Sequence, residues 1–164
     1  MLKSPIVTCA LFAAMLFACV PARSQSGSDI SPSEAKELYD YTLTMDKVQK
    51  AAAATHALME LAKQHPELNS AGDSKSLDGT VQIIQRYPEA VAAISHAGLT
   101  PRDYVLCSLT TMQAAMAVGF KKAGTYKEYP AKLLQLVSKA NLDFTEQHWD
   151  EIQKLTASGD SDTQ

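Results

Sequence analysis

The chain has 164 residues, 46% of them hydrophobic, with 15 Lys and Arg against 18 Asp and Glu and a net charge of −3. That length suits one domain with a real core. An acidic chain without a basic block excludes a nucleic-acid grip and a polybasic patch for anionic lipid.

Residues 1–24 read as a secretory signal peptide. Lys3 supplies the positive start, Pro5 to Val20 is apolar apart from Thr8, and small residues precede a cleavage point after Ser24. A second route is open, because Leu16-Phe17-Ala18-Cys19 resembles the lipobox of bacterial lipoproteins, with Cys19 as the lipid-bearing residue. Either route places the domain in the periplasm or outside the cell, with a membrane link only through that lipid. Cleavage removes Lys3 and Arg23 and no acidic residue, taking the charge to about −5. It also removes Cys9, and Cys19 with it on the soluble route, leaving Cys107 unable to form an intrachain disulfide.

Residues 25–30 form a flexible lead. Ser31, Pro32 and Glu34 make a capping-box start, so a first helix runs from Pro32 to about Asp40. Thr44 caps a long helix from Met45 to His65 that stops before Pro66. Tyr41, Met45, Val48, Ala52, Thr55, Met59 and Ala62 repeat at spacings of 4 and 3, which predicts its buried seam. Pro66 to Lys75 reads as a loop. Ser76 caps a short helix from Leu77 to Tyr87 carrying Val81, Ile83 and Ile84. Pro88 starts another through Ala97, with Val91 and Ile94 inward and Gly98 as its C′ residue.

The centre of the design is Pro101 to Lys122. Thr100 is its N-cap, Pro101 its first helical residue, and no charge occurs from Tyr104 to Phe120. Val105, Leu109, Met112, Met116 and Phe120 recur at helical spacing, so this stripe is expected to face neighbours. Gly124 stops the helix, and Thr125 to Pro130 is a turn. Leu133 to Val137 gives one or two helical turns. Ser138 then caps a last helix from Lys139 to about Thr156, burying Leu142, Phe144, Trp149, Ile152 and Leu155, and residues 157–164 fray. No stretch reads as a strand. The expected fold is all-α, a compact single-domain bundle over 31–156 with three longer helices near 45–65, 101–122 and 139–156.

Catalytic and metal motifs are missing from this pattern. There is no Cys-x-x-Cys-His, no Gly-x-Ser-x-Gly and no Gly-rich phosphate loop, so an enzyme is not expected. His56, His65, His96 and His148 lie in four separate places, so no metal is expected. No cofactor is expected either. A pocket between the long and central helices, lined by Met45, Met59, Met112 and Met116, suits an apolar or varied ligand. Arg102 and Tyr104, beside Asp103 at a helix N-terminus, are candidates for receiving an anion.

Three resemblances attach to these residues. Met45 or Met59 with a late His148 is similar to the layout of small four-helix b-type cytochromes, which implies a haem or metal electron carrier as an alternative. Leu109-Thr110-Thr111-Met112-Gln113 resembles the Leu-Thr-x-x-Gln pattern of periplasmic stress chaperones, which implies binding of unfolded clients. Ala97 to Gly124, with its AGLTPRDY start, resembles a family of small exported bacterial all-helical proteins whose starts read AGLTPREY, and that likeness implies no activity. The reading that follows is an exported, non-catalytic binding or interaction module of the bacterial cell envelope, taking a protein or a small apolar ligand.

Overall fold

The computed structural model describes residues 30–66, 68 and 74–157. The leader, Cys19, most of the 25–30 lead and the 158–164 tail lie outside them. The described residues form eight helices and no strand: α1 (Pro32–Asp40), α2 (Met45–Gln64), α3 (Leu77–Gln85), α4 (Pro88–His96), α5 (Pro101–Lys122), α6 (Ala131–Leu134), α7 (Lys139–Gln147) and α8 (Trp149–Ala157). None of them is long and apolar enough to cross a membrane.

Local chemistry sets these boundaries. Ser31, Thr44, Ser76, Thr100 and Ser138 each accept a hydrogen bond from the backbone N–H three residues on, starting α1, α2, α3, α5 and α7. Gly98 and Gly124 sit at φ +84° and +78°, where other residues are strained. Each closes a Schellman turn: Leu99 N–H donates to the Ile94 carbonyl after α4, and Thr125 N–H to the Phe120 carbonyl after α5.

Helix α5 is the axis of the bundle. It packs on α1, α2, α3, α4 and α7, with α2 already in contact near its start through Tyr104 and Thr55. Two apolar clusters share it. One gathers Leu43, Val48, Cys107, Ala114, Val118, Leu142 and Ile152; the other gathers Leu38, Leu77, Ile84, Ile94, Val105 and Leu106. Tyr41, Leu99 and Tyr104 touch both.

Two polar side chains hold the layers in register. The Glu34 carboxylate accepts from Ser31 N–H at 2.7 Å and from the Ser31 hydroxyl at 2.8 Å, closing the α1 cap. Its other oxygen accepts from Asp78 N–H at 2.9 Å, so one carboxylate caps both α1 and α3. These backbone donors hold its pKa down to about 2. On α7, the buried Asn141 accepts from Leu43 N–H at 3.0 Å and donates to the Tyr41 carbonyl at 2.7 Å. That pins the extended link between α1 and α2.

Three features differ from the expectation. The last helix is two, divided at His148 (φ −105°, ψ 19°). The division lets α7 lie along α5 while α8 turns onto α2. No Gly or Pro marks the break, so packing rather than propensity makes it. On α2 the buried positions are Val48, Ala51 and Ala54, while Met59 is exposed. Small alanines admit α4 and α5 at close range, which a Met seam would hold apart.

The third difference concerns α5. Its buried residues include Cys107, Thr110, Ala114, Ala117 and Val118. Of the predicted stripe, Val105 is buried and Leu109 half-buried, but Met112, Met116 and Phe120 are 50%, 52% and 54% exposed. Neighbouring helices press against the small-residue side because backbones approach most closely there. The large side chains are left outside.

Candidate functional site

The exposed part of α5 is a continuous apolar strip. Met112, Met116 and Phe120 stand one above another, and the strip is about 12 Å long at 1.5 Å per residue. No charged residue occurs between Asp103 and Lys121. Along one flank Trp149 lies against Gly119: a Cβ there would meet the indole Cη2 at 3.4 Å. Lys122 Nζ stands 5.6 Å from the Trp149 ring centroid. At the C-terminal end the Tyr126 ring is 6.4 Å from that of Phe120, and its hydroxyl donates to the Ala117 carbonyl at 3.1 Å.

The turn after α5 is fixed from the other side. Tyr129 O–H and Lys121 Nζ both donate to the Glu146 carboxylate on α7. Those two donors hold the Glu146 pKa below the usual carboxylate range, while burial and the same carboxylate push the Tyr129 phenol up. Tyr126 therefore has a fixed position beside the strip. Two flexible thioethers and a phenyl ring, framed by Tyr126 and Trp149, can take an apolar surface of varied shape.

The methionine pocket is not formed. Met59, Met112 and Met116 are exposed, and Met45 packs on the first apolar cluster. The walls turn outward because the small-residue faces of α2 and α5 meet instead. His148 lies at the α7–α8 junction, its ring 4.7 Å from Phe144 and its Nδ1 3.8 Å from Glu151. The arrangement therefore does not bring His148 into a shared chamber with the methionines.

The anion site is also overturned. Arg102 Nε and Nη2 donate to the two Glu37 oxygens at 2.7 and 2.5 Å, and Nη1 to Asp78 at 2.7 Å. Two carboxylates already hold this guanidinium, so an anion meets net negative charge. Tyr104 is turned to α2, its hydroxyl 3.1 Å from that of Thr55. The Asp103 N–H is capped by Thr100 at 3.1 Å. Arg102 is instead a strut joining α1, α3 and α5. Its partners Glu37 and Asp78 lie 65 and 24 residues away in sequence, and nothing local announces them.

Other features are limited. A cleft of about 500 Å³ between α1 and α5 is bordered by Lys36, Glu37, Asp40 and Asp103, and one of about 460 Å³ by Lys122, Glu146, Trp149 and Lys154; both are open to solvent. Among the described residues no group of three or more His, Cys, Asp or Glu is placed to hold a metal ion. Cys107 is fully buried and burial pushes its thiol pKa up, which disfavours the reactive thiolate. Within Leu109-Thr110-Thr111-Met112-Gln113, Thr110 is buried and Met112 is part of the exposed strip. No family model, curated protein or solved structure matches the chain.

Proposed function

We propose that the chain is an exported, non-catalytic interaction module of the cell envelope whose working surface is the open face of α5. The observation that carries the reading is the row Met112, Met116 and Phe120, each about half exposed on a helix that otherwise forms the axis of the core. A helix whose large apolar residues point outward leaves them wet in the isolated chain, and contiguous wet apolar surface marks an interaction site more often than a neutral one. The apolar leader at residues 5–20 supports the location. Methionine suits a surface that adapts to its partner.

An apolar fluorescent dye tests the reading. The folded chain should enhance emission of anilinonaphthalene sulfonate at low protein concentration. Changing Met112, Met116 and Phe120 together to Ser should remove most of that signal with far-UV circular dichroism unchanged. Equal dye binding by the folded triple variant refutes the assignment of this face.

A further inference from the structure

The link from α5 through α6 carries a charge that the acidic total of the chain conceals. Residues 121–139 hold five lysines against Glu128 alone, a balance of +4 in a chain whose net charge is −3, so the remainder carries −7. Charge acts locally, because salt screens it beyond about 10 Å at 0.1 M. Carboxylates on α7 take two of the five lysines: Lys121 pairs with Glu146 and Lys139 with Asp143. Lys122 lies over the Trp149 ring. Lys127 and Lys132 are exposed, and among the described residues neither has a hydrogen bond, an ion pair or a ring contact.

Leucines stand beside those two lysines. Tyr129, Leu133 and Val137 recur every four residues and seat the segment on the first apolar cluster. Leu134 and Leu136 are left outside, and Leu136, at 63%, is the most exposed large hydrophobic residue described. No residue of α6 is buried. The inner three side chains already hold the segment, so folding supplies no reason for the outer two leucines.

We propose that this end of the molecule docks on a bilayer containing anionic lipid, with Leu134 and Leu136 entering the acyl boundary and Lys127 and Lys132 meeting the phosphates. The proposal goes beyond the α5 strip and does not depend on it. Two observations favour a bilayer over an acidic protein. The leucines protrude, and a fluid apolar layer receives protruding side chains where a folded partner needs a matching groove. Lysines border the leucines, which repeats the order of a charged headgroup layer over hydrocarbon. Each lysine near such a surface is worth about fivefold in affinity. Two lysines and two leucines therefore give a weak, reversible attachment.

A fluorescent label on the segment tests this in the full chain. The background has Cys9 and Cys19 changed to Ser; Cys107 is fully buried and does not compete. Gln135→Cys carries a polarity-sensitive nitrobenzoxadiazole label between the two leucines. Ala35→Cys carries the same label on α1, which the Arg102–Glu37 pair holds at the other end of α5; that helix is about 30 Å long at 1.5 Å per residue. Vesicles of phosphatidylcholine with phosphatidylglycerol should brighten and blue-shift the label at 135, and added salt should reverse the change. Lys127→Ala with Lys132→Ala should need roughly twentyfold more lipid for the same signal. Leu134→Ser with Leu136→Ser should abolish the blue shift, with far-UV circular dichroism unchanged in both variants.

Attachment through residues 1–24 alone shifts the label at 35 and not that at 135, and overturns the proposal. So does a label at 135 that responds equally to vesicles of phosphatidylcholine alone, or an unchanged lipid requirement in the lysine variant. A label at 135 that responds to neither vesicle overturns the bilayer as occupant; lysine-dependent retention on immobilised polyglutamate then assigns the patch to an acidic protein instead.

Discussion

Glu34 offers the sharpest quantitative test, because a single carboxylate caps two helices. Glu34→Gln keeps the volume but turns one oxygen into an amide donor facing either the Ser31 or the Asp78 N–H. In the native chain hydrogen bonds hold the carboxylate pKa at about 2, against an ordinary 4.5. That difference corresponds to roughly 3 kcal/mol of preference for the ionised form, an upper bound on its contribution. Its side chain lies against its own helix start and is 6% exposed. The loss on substitution should therefore be about 2–3 kcal/mol at pH 7. The pKa is depressed in the folded state, so the stabilisation is complete above about pH 4.5 and disappears as pH falls toward 2. Urea unfolding of both proteins from pH 7 to pH 2.5 measures it. The gap should be widest at neutral pH and should shrink steadily below pH 4.5. A gap under about 0.5 kcal/mol at pH 7, or one that does not narrow in acid, refutes the double cap.

Two further outcomes follow from the geometry. Gly98→Ala should lower stability by about 1 kcal/mol in denaturant unfolding, because φ is +84°, a conformation strained for a residue with a side chain; no loss would contradict the Schellman turn. Thr145 is fully buried and its hydroxyl has no hydrogen-bond partner among the described residues, so Thr145→Val should be neutral or raise stability by up to about 1 kcal/mol. A loss of that size in the same assay would mean the hydroxyl is satisfied.

How much was legible in the sequence divides along a physical line. Features written within four residues were readable: the Ser31–Glu34 box, the Thr44, Ser76, Thr100 and Ser138 caps, and the glycine stops at Gly98 and Gly124. Each depends on a backbone group near its partner in sequence. The inward face of α5 was not. Periodicity finds a row of large apolar residues but says nothing about which side the neighbours choose, and here they chose Ala114, Ala117 and Val118 for close approach. Arg102 looked like an open cation because its partners come from two other helices. Asn141 gave no local hint of holding residues 41 and 43. The break at His148 carries no breaker residue and arises only when α7 and α8 find different surfaces.

The contact between Asn141 and Leu43 closes a span of 98 residues. A chain emerging from its N-terminus exposes α1 and α2 long before Asn141 exists to fix the angle between them. This link can form only when nearly all of the polypeptide is present, and contacts of such span raise the contact order, which goes with slower folding.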